Sequence, residues 1–224
     1  MIFSTTLTAS NADIIGDALA SAVAHVDRCL VIDTGARDDT LEVARRVAGD
    51  KLLVREFPWR DDFAAARNFA LDAAAEAGGQ WAVTVDTDER LIFEPGFDLR
   101  AALAATSARV LHVTAEDGSY AKERILRLPA PERWTGPTHE ALGGQRPGES
   151  AVLAGVHFRE LPKDPAALRR KLERDVGILR RHVKQHAKEP RWHYYLGATH
   201  HDLGEFAAAI DAYKACAALG GWPE

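Results

Sequence analysis

Two carboxylates one residue apart, Asp86 and Asp88, sit in the run Val85-Asp86-Thr87-Asp88-Glu89, at the exit of an apolar segment that begins at Trp81. In extended chain, alternate residues share a face. The pair would therefore offer hard oxygens from one side to a divalent cation and its bound diphosphate. A solvated acidic turn is the competing reading. A further carboxylate, Asp33, ends the apolar run from Cys29 and is followed by Thr34-Gly35 and then by Asp39-Thr40, where a helical pattern opens. A strand that runs through a glycine turn into a helix is where open α/β sheets bind nucleotides. Neither a Gly-x-Gly-x-x-Gly nor a Walker-type loop occurs, which disfavours dinucleotide and P-loop chemistry.

Other polar side chains carry weaker signals. Arg67 comes four residues after Phe63 on a helical pattern, which sets a cation beside the apolar seam; a surface charge is the plainer reading. His157 follows the strand-like Ala151 to Val156 and is a candidate metal or diphosphate contact, against a packed, hydrogen-bonded histidine. His182 and His186 share a helix face, but a zinc site needs a third ligand that the pattern does not place. Cys29 and Cys216, the two cysteines, lie far apart in apolar settings that suit buried thiols. Trp59 and Trp134 either floor a sugar site or pack in the core.

These residues need a scaffold. Strand-like runs at Thr5 to Thr8, Cys29 to Asp33, Leu52 to Phe57 and Trp81 to Asp86 alternate with helical patterns at Asp13 to Val23, Asp39 to Val47, and from Phe63 to the Gly78-Gly79 stop. Such alternation predicts an α/β fold with a mostly parallel sheet flanked by helices. A less regular stretch follows, with a helix at Leu99 to Ala105 and strands at Val110 to Thr114 and Arg124 to Leu128. Asp164-Pro165 is a helix start, with a capping side chain followed by proline at the first helical position. Leu168, Leu172, Val176, Leu179 and Val183 then recur at helical spacing to about Lys188. Helices at Trp192 to Asp202 and Glu205 to Leu219 complete a small all-α tail. Its Leu196-Gly197, Gly204, Ala209-Ile210 and Tyr213 resemble one tetratricopeptide repeat. The expected division is residues 1–162 and 163–224.

Composition sets limits. Of 224 residues, 46% are hydrophobic and 27% charged, as in ordinary globular proteins. A net charge of -5 with interspersed signs offers no basic stripe, so a nucleic-acid partner is not expected. No apolar stretch approaches the roughly 18 residues that span a bilayer, and the first residues read as a strand rather than a secretory leader. A cytoplasmic location without a transmembrane segment is the expectation.

Taken together, Val31 to Thr40, the Phe57-Pro58-Trp59 to Ala70 segment with Ala66-Arg67-Asn68, the Asp86 to Asp88 pair, and Trp134-Thr135-Gly136-Pro137-Thr138-His139-Glu140 resemble the family 2 glycosyltransferases of GT-A fold. The likeness is to the subgroup with tetratricopeptide repeats after the catalytic domain. It implies inverting, metal-dependent transfer of a sugar from a nucleotide-diphosphate sugar, a UDP-sugar by expectation, to an acceptor glycan, lipid or protein. Asp33 would contact the base and Arg67 the base or phosphates. Asp88 would hold Mn or Mg, with Asp86 near the ribose or sugar; beside what the resemblance implies, His157 stays the candidate for a further metal contact that its place after the strand-like run gives it. Glu140 is the candidate general base. The chain departs from the pattern where Ala9-Ser10-Asn11 stands for a Lys-Asn-Glu turn and where Ala36, Arg37 and Asp39 replace small residues. A degenerate, non-catalytic module that binds a protein partner through its helical tail is therefore the alternative, and a nucleotidyltransferase using the same carboxylates is a third reading.

Overall fold

The computed structural model describes residues 1–223; Glu224, the last residue of the expected tail, lies outside them. In chain order the elements are β1 (Ile2–Thr8), α1 (Ile15–Val23), β2 (Arg28–Asp33), α2 (Thr40–Ala48), a 3-10 turn (Gly49–Lys51), β3 (Leu52–Glu56), α3 (Phe63–Glu76), β4 (Trp81–Thr84) and β5 (Glu89–Phe93). They continue with α4 (Leu99–Ala105), β6 (Val110–Ala115), β7 (Ala121–Arg127), β8 (Arg133–Thr135), β9 (Ala141–Gly143), β10 (Ser150–Glu160), α5 (Pro165–Gln185), α6 (Pro190–Asp202) and α7 (Phe206–Ala218).

The main sheet has eight strands in the order β3-β2-β1-β4-β7-β6-β10-β5, and β8 pairs with β9 separately. β1 to β4 form a parallel half. Beyond it the sheet is mixed, because β7 runs antiparallel to β4 and β6, and β5 antiparallel to β10, while β10 and β6 are parallel. Four of the seven strand pairings described in this sheet are parallel, so the mostly parallel sheet flanked by helices expected from sequence is present, with antiparallel pairings concentrated beyond β4. Of the antiparallel pairs, β6 and β7 are joined by a short turn, which cannot carry the crossover that a parallel pair needs.

One face of the sheet buries Ile2, Val31, Val83 and Ile125 against Ile15, Leu19 and Ala22 of α1 and Ala44 of α2. Burial at about 25 cal/mol per Å² of apolar surface drives this layer together. On the central strand β1, Ser4, Thr5, Thr6 and Thr8 are buried despite their hydroxyls.

Two compact units emerge. The first comprises residues 1–60, 65–135 and 142–161; the second comprises 61–64, 136–141 and the stretch from Pro162 onward. Two short segments from the middle of the chain therefore group with the C-terminal helices. In the second unit, Asp164 caps α5 by accepting from Ala166 N and Ala167 N, each at 2.9 Å. Gly197 of α6 lies against the Tyr213 ring of α7, so closely that a Cβ there would come within 2.7 Å of it. Among the described residues no helix is long and apolar enough to cross a membrane.

Candidate active site

The parallel strands present their carboxyl ends along one edge, where Thr8 pairs with Asp33 and Asp33 with Glu56. Asp33 folds its own turn: Oδ1 accepts from Gly35 N at 2.8 Å and Ala36 N at 2.7 Å, an arrangement natural to a short carboxylate before glycine. Ser10, Asn11 and Arg37, which depart from the family pattern, and their neighbours Ala12 and Asp38 stitch this edge together. Ser10 Oγ accepts from Arg37 N at 3.0 Å, Asn11 N donates to Thr40 Oγ1 at 2.7 Å, and Ala12 N donates to Asp38 Oδ2 at 3.2 Å. Asp39 is the N-cap residue of α2 without a capping bond from its side chain, and Asp38 Oδ1 accepts from Thr40 N at 3.1 Å.

Strand β4 ends at Thr84, two residues earlier than the pattern suggested, so Asp86 and Asp88 lie in a turn closed by Glu89 N donating to the Asp86 carbonyl at 2.9 Å. Strand alternation therefore does not set their directions. The Asp86 carboxylate is gripped by Arg67 of α3, with Oδ1 at 3.0 Å and Oδ2 at 3.2 Å, and by Arg124 of β7 at 3.1 Å. Burial opposes its charge, but Arg67 and Arg124, with Lys122 adding to them, outweigh that and hold the Asp86 carboxyl far below the usual range. Arg67, readable from sequence as a surface charge, is thus an internal partner of the acidic turn.

Arg124, Glu89 and Lys122 were not singled out by sequence reasoning. The β6–β7 ladder passes from Leu111 opposite Ile125 to His112 opposite Glu123, which makes Arg124 the extra residue of a bulge. Bulges re-aim side chains and recur beside functional sites. Arg124 also pairs with Glu89, which is buried, and Lys122 reaches Glu89 at 3.0 Å and pairs with Glu160. Burial and Arg124 work against the Lys122 charge, yet Glu89 and Glu160 prevail and raise its pKa. The charges thus alternate in sign from Arg67 through Asp86, Arg124 and Glu89 to Lys122.

Asp88 sits half-buried at the tip of the turn, and its carbonyl accepts from Leu161 N at 2.7 Å. The other sequence candidates are placed elsewhere. His157 of β10 stands opposite Ile92, and its Nε2 lies 3.3 Å from Glu94 Oε1. Among the described residues, no three His, Cys, Asp or Glu side chains are arranged to hold a metal ion. Asp86, Asp88 and His157 therefore do not meet as a cage, because Asp86 is spent on two arginines and His157 on Glu94. Trp134 is buried, with the Arg67 guanidinium 5.4 Å from its ring centre and Asn68 bonding both its N and its O at 2.9 Å. It is a packing residue rather than an open floor. Glu140 belongs to the second unit, directly after His139, whose φ of 48° is left-handed. Cys29 is buried, and burial raises its thiol pKa despite the charge of Lys51, so it is no ready nucleophile.

A sheet with a parallel half, an antiparallel extension, and an acidic turn after the strand that joins them is the architecture of the GT-A glycosyltransferases. Residues 5–127, more than half of the chain, match the model of Glycosyl transferase family 2, and the chain belongs to that family. A TPR repeat-containing protein of Synechococcus elongatus is 39% identical over 137 residues, 58% of this chain and 32% of that protein. The chain thus spans about a third of that relative's length. Among solved structures, S. aureus TarS 1–349 aligns with a TM-score of 0.55 at 15% identity, over 96% of this chain and 80% of that one. The complex of TarS 1–349 with UDP-GlcNAc aligns over the same shares at 0.56 and 14% identity. At these identities the likeness is one of fold.

Proposed function

We propose that the chain transfers a sugar from a nucleotide-diphosphate sugar, a UDP-sugar in the first instance, to an acceptor nucleophile with inversion at the anomeric carbon. Family membership supports the transfer, and the complexes of TarS with UDP-GlcNAc and with UDP suggest the donor class. The observation that carries the reading is the acidic turn after β4, whose Asp86 is held ionised by Arg67 and Arg124 at the carboxyl edge of the sheet. The curated relative's name, together with the α6–α7 pair, supports placing the chain in the subgroup with C-terminal tetratricopeptide repeats.

The residues present fit a divalent ion of the Mn or Mg kind. Mg²⁺ needs only one or two protein carboxylates when substrate phosphates and water fill the remaining octahedral positions. Asp88 is the carboxylate in this role. Asp86, flanked by two guanidinium groups that repel a dication, instead orders the turn and faces the ribose or sugar. When bound, the ion supplies neutralisation of the charge that builds on the leaving diphosphate. Asp33 contacts the base and Arg67 the base or phosphates. In the reaction, a bond forms between the acceptor atom and the anomeric carbon as the bond from that carbon to the diphosphate oxygen breaks. Glu140 takes the acceptor proton and the nucleoside diphosphate departs.

Calorimetry of UDP with and without Mn, on the parent chain and on Asp88→Asn, tests the site. Metal-dependent binding by the parent, lost in the variant while its unfolding midpoint stays put, is the expected result. Equal UDP binding by both proteins with and without Mn would remove the metal role of Asp88.

A further inference from the structure

The two described non-glycine residues with left-handed backbone, Asp61 at φ 58° and His139 at φ 48°, both fall in the second unit. Such residues persist where their surroundings over-determine them, and they gather at functional sites. Each is gripped by an arginine of the C-terminal helices. Arg181 of α5 donates to Asp61 Oδ2 at 2.6 Å, and Arg191 of α6 donates to the His139 carbonyl at 2.7 Å. The His139 ring stacks on Tyr195 with centroids 4.3 Å apart and planes 9° apart. Gly136, at φ 101°, passes so close to Trp192 that a Cβ there would lie 2.4 Å from the ring. Pro137 O accepts from Phe63 N at 2.9 Å, and the Arg174 guanidinium of α5 lies 4.8 Å from the centre of the Phe63 ring. Arg191 is itself fixed, its guanidinium lying within 5.5 Å of the ring centres of Trp192, Tyr195 and Trp222.

We infer that Arg191 is a positioning residue for Glu140. Its hydrogen bond to the carbonyl one residue before Glu140, together with the Tyr195 stack, sets the direction in which that carboxylate leaves the backbone. On this inference α6 contributes to placing the base. This inference rests on the reading of Glu140 as the base. The chemistry agrees: a strained residue whose carbonyl accepts from a guanidinium has few alternative conformations, and a charge-assisted bond of this kind is among the stronger ones in proteins. A base misplaced by an ångström loses rate without losing substrate.

The test uses the full chain in two arms. In the first, amide hydrogen exchange is followed at Phe63, whose N–H is held by Pro137 O of the same loop, with the amides of α7 as internal reference. Arg191→Ala should speed exchange at Phe63 by about ten- to a hundredfold and leave α7 unchanged, Arg191→Lys should restore part of the protection, and Glu140→Gln should have no effect. In the second arm, release of UDP from UDP-GlcNAc with Mn is measured. Arg191→Ala should lower kcat by about tenfold or more with KM within about twofold, and should cost nothing further in a Glu140→Gln background. Should Arg191→Ala fail to fold, Tyr195→Leu carries the same expectations. Unchanged Phe63 exchange, or losses that simply add to those of Glu140→Gln, would overturn the inference. Full turnover by Glu140→Gln would instead sink the base itself, and this inference with it, whatever the exchange arm reads.

Discussion

Replacing Arg124 by methionine removes a cation that touches both Asp86 and Glu89 from a position where its side chain is only 4% exposed. Stranding one partner of a buried ion pair costs about 3–5 kcal/mol. Here the lower end applies, because Asp86 keeps Arg67 at 3.0 Å and Glu89 keeps Lys122 at 3.0 Å. A loss of about 3 kcal/mol follows, or a fall in Tm of about 6–12 °C at this chain length. Urea and thermal unfolding at pH 7 measure it directly. Adding Glu89→Gln to Arg124→Met should recover part of the loss, since the carboxylate that was left short of a partner is then neutral. The sign with pH is fixed by Asp86, whose carboxyl is depressed below its ordinary value of 3.8 in the folded state. Its contribution is fully present above that value and fades as pH falls below it. Parent and variant should therefore converge in acid. An Arg124→Met protein within about 0.5 kcal/mol of the parent at pH 7 would refute the view of this network as a buried, mutually dependent set of charges.

Further outcomes can be checked in the same laboratory. Glu140→Gln should lower kcat for UDP release by a hundredfold or more, an order set by general-base catalysis, with donor affinity by calorimetry unchanged; equal losses in both would make Glu140 structural. Gly197→Ala forces a methyl group into the Tyr213 ring and should destabilise the α6–α7 pair by about 1–3 kcal/mol, read from urea unfolding followed by far-ultraviolet circular dichroism. Asp164→Ala removes two N-cap hydrogen bonds from α5 and should cost about 1 kcal/mol in the same assay, whereas Asp164→Asn should cost much less.

Much of the scaffold was legible because its signals are local. The proline and capping carboxylate at Asp164-Pro165, the helical spacing from Leu168 to Val183, and the apolar run Cys29 to Asp33 each contain within a few residues what defines the element. β5 was missed because Glu89 and Arg90 open it with charges, and the burial of Glu89 depends on Lys122 and Arg124 more than thirty residues away. β8 and β9 were missed because three-residue strands carry too little pattern to read. At the candidate site, Asp33, Asp86 and Asp88 were singled out by residue type and spacing and Arg67 by the family resemblance, but the directions of Asp86 and Asp88 were not readable, since β4 stops at Thr84 and a turn takes over. The role of Arg124 depends on a bulge, and a bulge leaves no mark in residue spacing; in the charge-rich strand Ala121–Arg127 nothing distinguished Arg124 from Lys122, Glu123 and Arg127. Likewise His157 had the residue type for a metal contact, and only the fold revealed Glu94 beside it.

The second unit is assembled from three stretches of sequence, and a boundary drawn along the chain after Leu161 is not a boundary in space. A protein trimmed at that point would leave Asp61, Phe63 and His139 without the arginines and rings that hold them, and the left-handed backbones of Asp61 and His139 would relax. Exchange of the tail between relatives, in the laboratory or by recombination, must therefore carry 61–64 and 136–141 along with the helices, or the hybrid inherits a tail that no longer fits the loops it is meant to grasp.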